Sequence, residues 1–367
     1  MPEAGKLSVR IIWDGNVVLG AEVKSTRPKA YRILQGRLPD NAVQLVPLLY
    51  SVCGRAQQAA AIAAVSAAQR HELPESRLLE RSVVCEAMQE HLWRLLLDWP
   101  SQLGLPQQQQ QFVRWHGELN AIAAGQGNAA DLLAELRQLL MVVTETEWKH
   151  LDSYARFSEW QSAGQGLLAP VFAALELKEN RLDFVGEPAS CALLPNWGAA
   201  DTWQIVAGRF DHEFAAMPQY EGKPMETGAL AHGQHASLLQ DLLRKRPARL
   251  LARVIARLVD LLDSAEALAH ENISGRIQSV SVLDAVGLSV VRTARGMLLH
   301  YVRIETERVA EYLTVAPTEW NFHPQGALAS GLTGLKESDA ERLMDTVKNY
   351  VLSLDPCVEY EIELSHA

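Results

Sequence analysis

The chain has few cysteines, and none of them is paired in the sequence. Its 367 residues include four, which are Cys53, Cys85, Cys191 and Cys357. They lie far apart and form no Cys-x-x-Cys pair, which argues against a disulfide framework and against a zinc knuckle. In a reducing compartment they remain thiols, and two of them could bind a soft metal if the fold brought them together.

The sequence also lacks targeting signals, membrane signals and any excess of positive charge. The N-terminus has no basic region followed by an apolar core, and no charge-free apolar run reaches the length of a membrane span. With 34 Lys and Arg against 44 Asp and Glu, the net charge is −10, which argues against nucleic acid as a partner. A hydrophobic content of 48% predicts a globular protein. We therefore expect a cytoplasmic protein with no nucleic-acid partner and no membrane partner.

Hydrophobic periodicity predicts an α+β chain. Alternating residues around a tight turn predict a β-hairpin from Leu7 to Glu22. Apolar spacing of three and four residues predicts helices, and alternation predicts strands near the C-terminal end. The predicted helices cover residues 54–68, 75–99, 129–160, 236–270 and 339–352, and the predicted strands cover 290–304 and 309–315. Residues 179–233 are predicted to be short strands and loops, Gln107–Gln111 a polar connection, and residues 316–324 a loop.

Two of the four cysteines stand in positions that suit a functional site. Cys357 follows Asp355-Pro356, and proline fixes the backbone before the sulfur. Cys53 precedes the alanine-rich helix, where backbone amides and the helix dipole would favour a thiolate. The alternative is a pair of unrelated buried thiols, because a lone cysteine is usually a small buried hydrophobe.

Other polar residues have structural interpretations. Arg249, Arg253 and Arg257 recur at a spacing of four, and we expect them to form a solvated helix face over a core stripe. Cys85 and Cys191 have no matching partners, so we expect buried thiols. We expect His300 and His323 to form hydrogen bonds or to pack, and Trp99 and Trp320 to be core anchors. His232 and His235 are close in sequence, but a separate metal site there is the less favoured interpretation.

Six short segments together carry a family resemblance. In chain order they are Gly36–Ala42 (Gly-Arg-Leu-Pro-Asp-Asn-Ala), Val52–Gly54 (Val-Cys-Gly), Tyr220–Gly228 (Tyr-Glu-Gly-Lys-Pro-Met-Glu-Thr-Gly), Ala294–His300 (Ala-Arg-Gly-Met-Leu-Leu-His), Pro317–Asn321 (Pro-Thr-Glu-Trp-Asn) and Asp355–Cys357 (Asp-Pro-Cys). This order resembles the large subunit of nickel-iron hydrogenases, and more closely its non-catalytic relatives, the HupK/HoxV-type hydrogenase maturation proteins.

The resemblance implies a fold. It implies a large-subunit-like α+β architecture with a central bundle of long helices and small β segments at both ends. We expect one domain over residues 1–367. Its parts are a β-rich portion at 1–50, a mainly helical core at 51–270 with a loop insert near 179–233, and β segments, a last helix and the Asp-Pro-Cys tail at 280–367.

The departures from the enzyme pattern argue against catalysis. Each enzyme motif is Cys-x-x-Cys and supplies one terminal nickel ligand and one bridging thiolate, but the second positions here are Ala56 and Tyr360. An acidic residue of the enzymes' first strand corresponds to Ile12, and a glutamate that resembles a magnesium ligand corresponds to Tyr31. The end at Ser365–Ala367 also lacks the cleavable tail of enzyme precursors. We therefore expect that the chain is not an enzyme and that it holds no nickel.

The retained residues suit an iron fragment. The resemblance implies Cys53 and Cys357 as metal ligands for iron that carries one carbon monoxide and two cyanides, because such an iron needs few further soft ligands. It implies Arg295, Thr318 and Asp355 as residues that bind this Fe(CN)2(CO) fragment: the arginine and the hydroxyl can donate to cyanide, and the carboxylate pairs with the arginine.

These residues predict a function in hydrogenase assembly. We expect a scaffold that transiently binds the Fe(CN)2(CO) fragment, receives it from the general hydrogenase maturation proteins and passes it to a hydrogenase large-subunit precursor. The alternative is a metal-free, degenerate large-subunit homologue that acts only as a protein-docking module. An active hydrogenase is a third interpretation.

Overall fold

A computed structural model describes residues 5–26, 28–50, 52–140, 149–206 and 210–367 of the chain. Its helices, α1 to α16 in chain order, are Pro39–Leu49, Gly54–Ala68, Ser76–Trp93, Trp99–Gln102, Gln109–Ala123, Ala129–Leu136, Tyr154–Ser162, Ala169–Glu179, Ala199–Val206, His212–Ala216, Ala229–His232, Ser237–Lys245, Leu250–Ala269, Pro317–Asn321, Ala327–Leu332 and Ala340–Leu354. Its strands, β1 to β11, are Lys6–Trp13, Val18–Ser25, Asp183–Phe184, Ala192–Leu193, Met225–Glu226, Ile277–Leu283, Val286–Thr293, Gly296–Glu305, Arg308–Val315, Leu335–Lys336 and Glu359–His366. The predicted α+β class is confirmed.

The two ends of the chain meet in one small sheet. Strands β1 and β2 form the predicted hairpin, and β11 pairs parallel to β1 with Lys6 opposite Glu359. Alternate residues of β1 point inward, so its apolar face packs against α15 and α16. Because β11 begins just after Cys357, this pairing fixes the place to which the last helix delivers that cysteine.

A second sheet supports the helix that follows Cys53. Strands β6 to β9 form an antiparallel meander. Helix α2 packs on this meander chiefly through alanines, and the small side chains allow close approach. The Ser289 hydroxyl donates to the Ala60 carbonyl oxygen at 2.8 Å across that contact. The sheet therefore holds α2, and with it the position of Cys53.

Helix α13 runs through the centre of the helical core. It packs against α3, α6, α8 and α16. The expected solvated arginine face is therefore wrong: Arg253 and Arg257 are buried, and even Arg249 is bound to the Glu226 carboxylate at 3.3 Å. The helix is enclosed on every side, so its charged residues must find partners inside the protein.

Several predicted boundaries need correction. The helix predicted over 236–270 is two helices, because Pro247 interrupts it and Arg249 has left-handed backbone (φ 62°). The helix predicted over 129–160 ends first at Leu136, and residues 141–148 lie outside the described part. Gln109 already begins α5, so the glutamine run is only partly a connection.

Other elements follow the predictions more closely. Residues 75–99 are nearly continuous helix, with a π-helical turn over Arg94–Asp98. The region 179–233 holds the expected short strands and adds short helices, and the loop predicted at 316–324 contains one helical turn, α14. Trp99 and Trp320 are buried core residues, as expected. In the described parts of the chain, no helix is both long enough and apolar enough to cross a membrane.

Candidate metal-fragment site

Cys53 lies at the start of α2, as predicted, with non-helical backbone (φ −130°). Two backbone amides in the first turn of this helix already have an acceptor. The N–H groups of Arg55 and Ala56 donate to the two Glu86 carboxylate oxygens at 2.8 Å each. The Cys53 sulfur accepts a hydrogen bond from the Gln57 side-chain amide at 3.5 Å. Helix α2 thus places the thiol, and Glu86 closes the helix N-terminus beside it.

Cys357 follows the last helix through a sharp change of direction. Asp355 ends α16 in a left-handed conformation (φ 55°), Pro356 comes next, and Cys357 precedes β11. The Cys357 sulfur is 3.0 Å from the Thr318 hydroxyl oxygen, and the Cys357 N–H donates to the same oxygen at 3.3 Å. Thr318 is buried on α14. The hydroxyl therefore holds both the backbone and the sulfur of Cys357.

Three guanidinium groups surround the Asp355 carboxylate. The nitrogen–oxygen distances are 2.7 Å from Arg94, 3.0 Å from Arg257 and 3.3 Å from Arg295. Burial would raise the pKa of Asp355, but the three cations overcome it and hold that pKa well below its usual range. The carboxylate is ionised and fixes three arginines at the base of the site.

The turn between β7 and β8 aims Arg295 at this carboxylate. Gly296 has a φ of +128°, and a Cβ there would lie 2.4 Å from Thr227 Cγ2, so only glycine fits. Arg295 also pairs with Glu90. Burial would lower the pKa of Arg295, but Asp355 and Glu90 raise it well above its usual range. In the described structure, neither the Arg295 Nε nor the Arg257 Nε makes a hydrogen bond.

The two sulfurs share one environment. Burial raises the pKa of Cys53 to about 12, the nearby Cys357 adds to the increase, and Arg295 opposes it. The prediction that the helix N-terminus would favour a Cys53 thiolate is therefore wrong for the metal-free protein. Burial outweighs the helix dipole, and Glu86 already occupies the amides.

All five predicted site residues thus come together. Arg295 is paired with Asp355, and Thr318 contacts Cys357. Cys357 and Arg295 are both close enough to Cys53 to shift the pKa of its thiol. What this grouping binds stays a prediction. The structure groups two thiols and one hydroxyl with the three guanidiniums that share the Asp355 carboxylate.

The positions that depart from the enzyme pattern hold no sulfur. Ala56 is buried, and Tyr360 on β11 is 40% exposed. The Tyr31 hydroxyl lies 3.2 Å from His212 Nδ1. Among the described residues, no three or more His, Cys, Asp or Glu side chains form a group that could hold a metal ion.

The other two cysteines are buried, as expected. Burial raises the pKa of Cys85 to about 12 and that of Cys191 to about 11. The Cys191 thiol donates to the Pro224 carbonyl oxygen at 3.2 Å. These contacts are structural.

Sequence reasoning missed four residues of the site: Arg94, Arg257, Glu90 and Gln57. One signal was available for Arg257. Its helix is apolar on nearly every face, and such a helix is buried, so its arginines had to be buried with it. The Gln57 amide on α2, the Glu90 carboxylate on α3 and Arg94 carried no pattern that separates them from surface residues.

Comparisons with known proteins agree with the predicted resemblance. The sequence profile of the nickel-dependent hydrogenase family matches residues 234–360. The chain is 29% identical to the hydrogenase expression/formation protein HoxV of Cupriavidus necator, over 100% of this chain and 98% of that protein. It is 28% identical to the hydrogenase expression/formation protein HupK of Azotobacter vinelandii, over 99% of this chain and 100% of that protein.

Solved structures show the fold. The nickel-iron-selenium hydrogenase of Desulfovibrio vulgaris Hildenborough, in its reduced state, superimposes with a TM-score of 0.58 at 16% identity, covering 95% of each chain. The corresponding enzyme of Desulfomicrobium baculatum gives the same TM-score, identity and coverage. The predicted hydrogenase large-subunit-like fold is therefore confirmed.

Proposed function

We propose that this chain, a relative of the HoxV and HupK hydrogenase expression/formation proteins over its whole length, is a non-catalytic scaffold in nickel-iron hydrogenase maturation. The names of these relatives support a role in hydrogenase maturation. The finer proposal is that the chain transiently binds the Fe(CN)2(CO) fragment as cargo and passes it to a hydrogenase large-subunit precursor. The observation that carries it is the meeting of Cys53 and Cys357 beside Arg295 and Thr318.

The donor set suits iron that brings its own ligands. Two thiolates are soft ligands, and three diatomic ligands already occupy much of the iron's coordination sphere. The Arg295 guanidinium is buried beside the Cys53 thiol, and a guanidinium can donate a hydrogen bond to a cyanide nitrogen. The Thr318 hydroxyl stands against the Cys357 sulfur and supplies a second donor.

The charges around the thiols also suit such cargo. Arg94, Arg257 and Arg295 face the buried carboxylates Asp355 and Glu90, and Arg94 also pairs with the more exposed Asp98. Among the buried groups, the cations therefore outnumber the carboxylates by one. Two thiolates that hold the iron fragment would add negative charge beside this cluster. Because the cluster is buried, the attraction is screened little by salt.

The loss of the second cysteine in each motif supports the non-catalytic part of the proposal. The position of Ala56 offers no metal ligand, and the position of the second cysteine in the last motif holds Tyr360, which is 40% exposed on β11. A nickel ion bridged to iron needs thiolates at both positions. We therefore propose that the chain handles the iron fragment without nickel.

Infrared spectroscopy tests this proposal. Protein purified anaerobically from a host with the hydrogenase maturation genes is expected to show cyanide and carbonyl bands and to contain iron without nickel. Replacing both Cys53 and Cys357 with alanine is expected to abolish the bands, because it removes both thiolate ligands. The matched control replaces the buried Cys85 and Cys191 with alanine and is expected to keep them.

The outcomes separate the candidate functions. Absence of the bands, or their persistence in the Cys53→Ala, Cys357→Ala variant, would count against the scaffold. Protein that is free of metal but still binds a hydrogenase precursor would indicate a docking module. Nickel together with hydrogen uptake would indicate an enzyme.

A further inference from the structure

A line of buried polar side chains runs from Cys53 into the second sheet. Gln57 contacts the Cys53 sulfur through its amide nitrogen at 3.5 Å. The Gln57 Oε1 is 2.9 Å from His300 Nε2, and His300 Nδ1 is 2.7 Å from the Tyr312 hydroxyl. Gln57, His300 and Tyr312 are completely buried. The line therefore links α2 to β8 and β9 without solvent.

The chemistry of the middle member limits the direction of these hydrogen bonds. Burial lowers the pKa of His300 to about 3, so its imidazole is neutral. A neutral imidazole has one N–H donor and one acceptor nitrogen. One neighbour of His300 must donate to it, and the other must accept from it.

The orientation of the Gln57 amide decides between the two directions. Its nitrogen faces the Cys53 sulfur and its Oε1, which can only accept, faces His300 Nε2, so the imidazole proton lies on Nε2 and Nδ1 accepts from the Tyr312 hydroxyl. A buried hydroxyl is satisfied with one partner when it donates, whereas an unmade donor carries the full desolvation cost. Tyr312 therefore donates to Nδ1, Nε2–H donates to Gln57 Oε1, and the Gln57 amide NH2 faces the sulfur.

We propose that Gln57 is a positioning residue that donates a hydrogen bond to the Cys53 sulfur, and that His300 and Tyr312 fix its amide in that orientation. The inference rests on the proposed function, because it assigns the sulfur the role of acceptor, as in a metal-bound thiolate. An amide is the side chain that presents an acceptor to His300 and a donor to sulfur at once. Each sulfur then has one polar side-chain contact, Gln57 for Cys53 and Thr318 for Cys357.

The orientation can be tested on metal-free wild-type protein. Nitrogen-15 NMR of histidine-labelled protein distinguishes a protonated from an unprotonated ring nitrogen, and a His300→Gln variant assigns the signals. We expect the proton on Nε2 and none on Nδ1. A proton on Nδ1 instead would reverse the line, make the Cys53 thiol the donor and overturn the proposal.

The effect on the cargo can be tested by infrared spectroscopy of Gln57→Met. Loss of the donated hydrogen bond leaves more electron density on the sulfur and hence on the iron. We therefore expect the carbonyl band to move to lower wavenumber, and iron retention against a chelator to fall about tenfold. The matched control is Gln161→Met, which changes another buried glutamine, one whose amide donates to Glu176 on α8.

The results separate this inference from the function on which it rests. An unchanged carbonyl band in Gln57→Met, with iron bound, overturns the role of Gln57 and leaves the scaffold standing. Wild-type protein with the Nε2–H tautomer but without cyanide or carbonyl bands contradicts the scaffold and leaves the orientation of Gln57 established.

Discussion

Replacing Asp355 with asparagine is expected to lower the free energy of unfolding by about 3–5 kcal/mol, the usual cost of leaving a buried charge without its partner. The change removes a carboxylate that three buried guanidiniums share. Arg295 keeps Glu90 and Arg94 keeps Asp98, but Asp355 is the carboxylate paired with Arg257 in the described structure. Burial already lowers the pKa of Arg257 despite Asp355, so its charge is the least compensated.

Urea unfolding of Asp355→Asn against Asp345→Asn measures this effect. Asp345 also pairs with a cation, Lys178 at 2.5 Å, but both side chains are partly exposed. Exposed pairs contribute little, so the control is expected to lose less than about 1 kcal/mol. Equal losses in the two variants would show that the arginine cluster is stable without its carboxylate.

Comparing the stability of wild type and Asp355→Asn at different pH values tests the same carboxylate. The folded-state pKa of Asp355 lies below the ordinary value of 3.8. Its ionisation therefore stabilises the fold fully above that value, and the stabilisation is lost as the pH falls below it. We expect the stability difference between wild type and Asp355→Asn to be constant near neutral pH and to shrink below about pH 4.

The arginine cluster around Asp355 shows which parts of the site could be predicted from the sequence and which could not. The order of short motifs was enough to place Cys53, Cys357, Arg295 and Thr318 in one site, because each motif has a fixed position in the fold. The arginines of α13 were misjudged, since a spacing of four marks one helix face without saying what covers it. Their burial depends on the other helices that pack around α13. The spacing of the arginines does not carry that information, although the apolar residues on the rest of the helix do.

Some features of the fold can be seen in the sequence, and others cannot. The break at Pro247 was visible in the sequence, because proline removes a backbone donor inside a helix. The parallel pairing of β11 with β1 was not visible, since the two strands come from opposite ends of the chain. That pairing positions Cys357, so the site is a product of the whole fold rather than of the motifs alone.

The position of Cys53 depends in turn on how closely α2 approaches β7, and replacing Gly287 with alanine should show it. A Cβ at residue 287 would lie 2.0 Å from the Ala64 carbonyl oxygen and 2.6 Å from the Ala68 backbone nitrogen. These are backbone atoms of a helix and cannot turn aside as a side chain could. The helix must move away from the sheet, and we expect the free energy of unfolding to fall by about 3 kcal/mol.

Gly20→Ala is the matched control, because it also adds a methyl group to a strand glycine, but nothing lies within 4 Å of the new Cβ. Its stability in urea is expected to stay within about 0.5 kcal/mol of wild type. Since Cys53 begins α2 and Gln57 lies in its first turn, a displaced helix should also weaken iron retention in Gly287→Ala. If both glycine variants were equally stable, α2 would be free to shift on the sheet. The packing of α2 on β7 would then not be what holds Cys53 near Cys357.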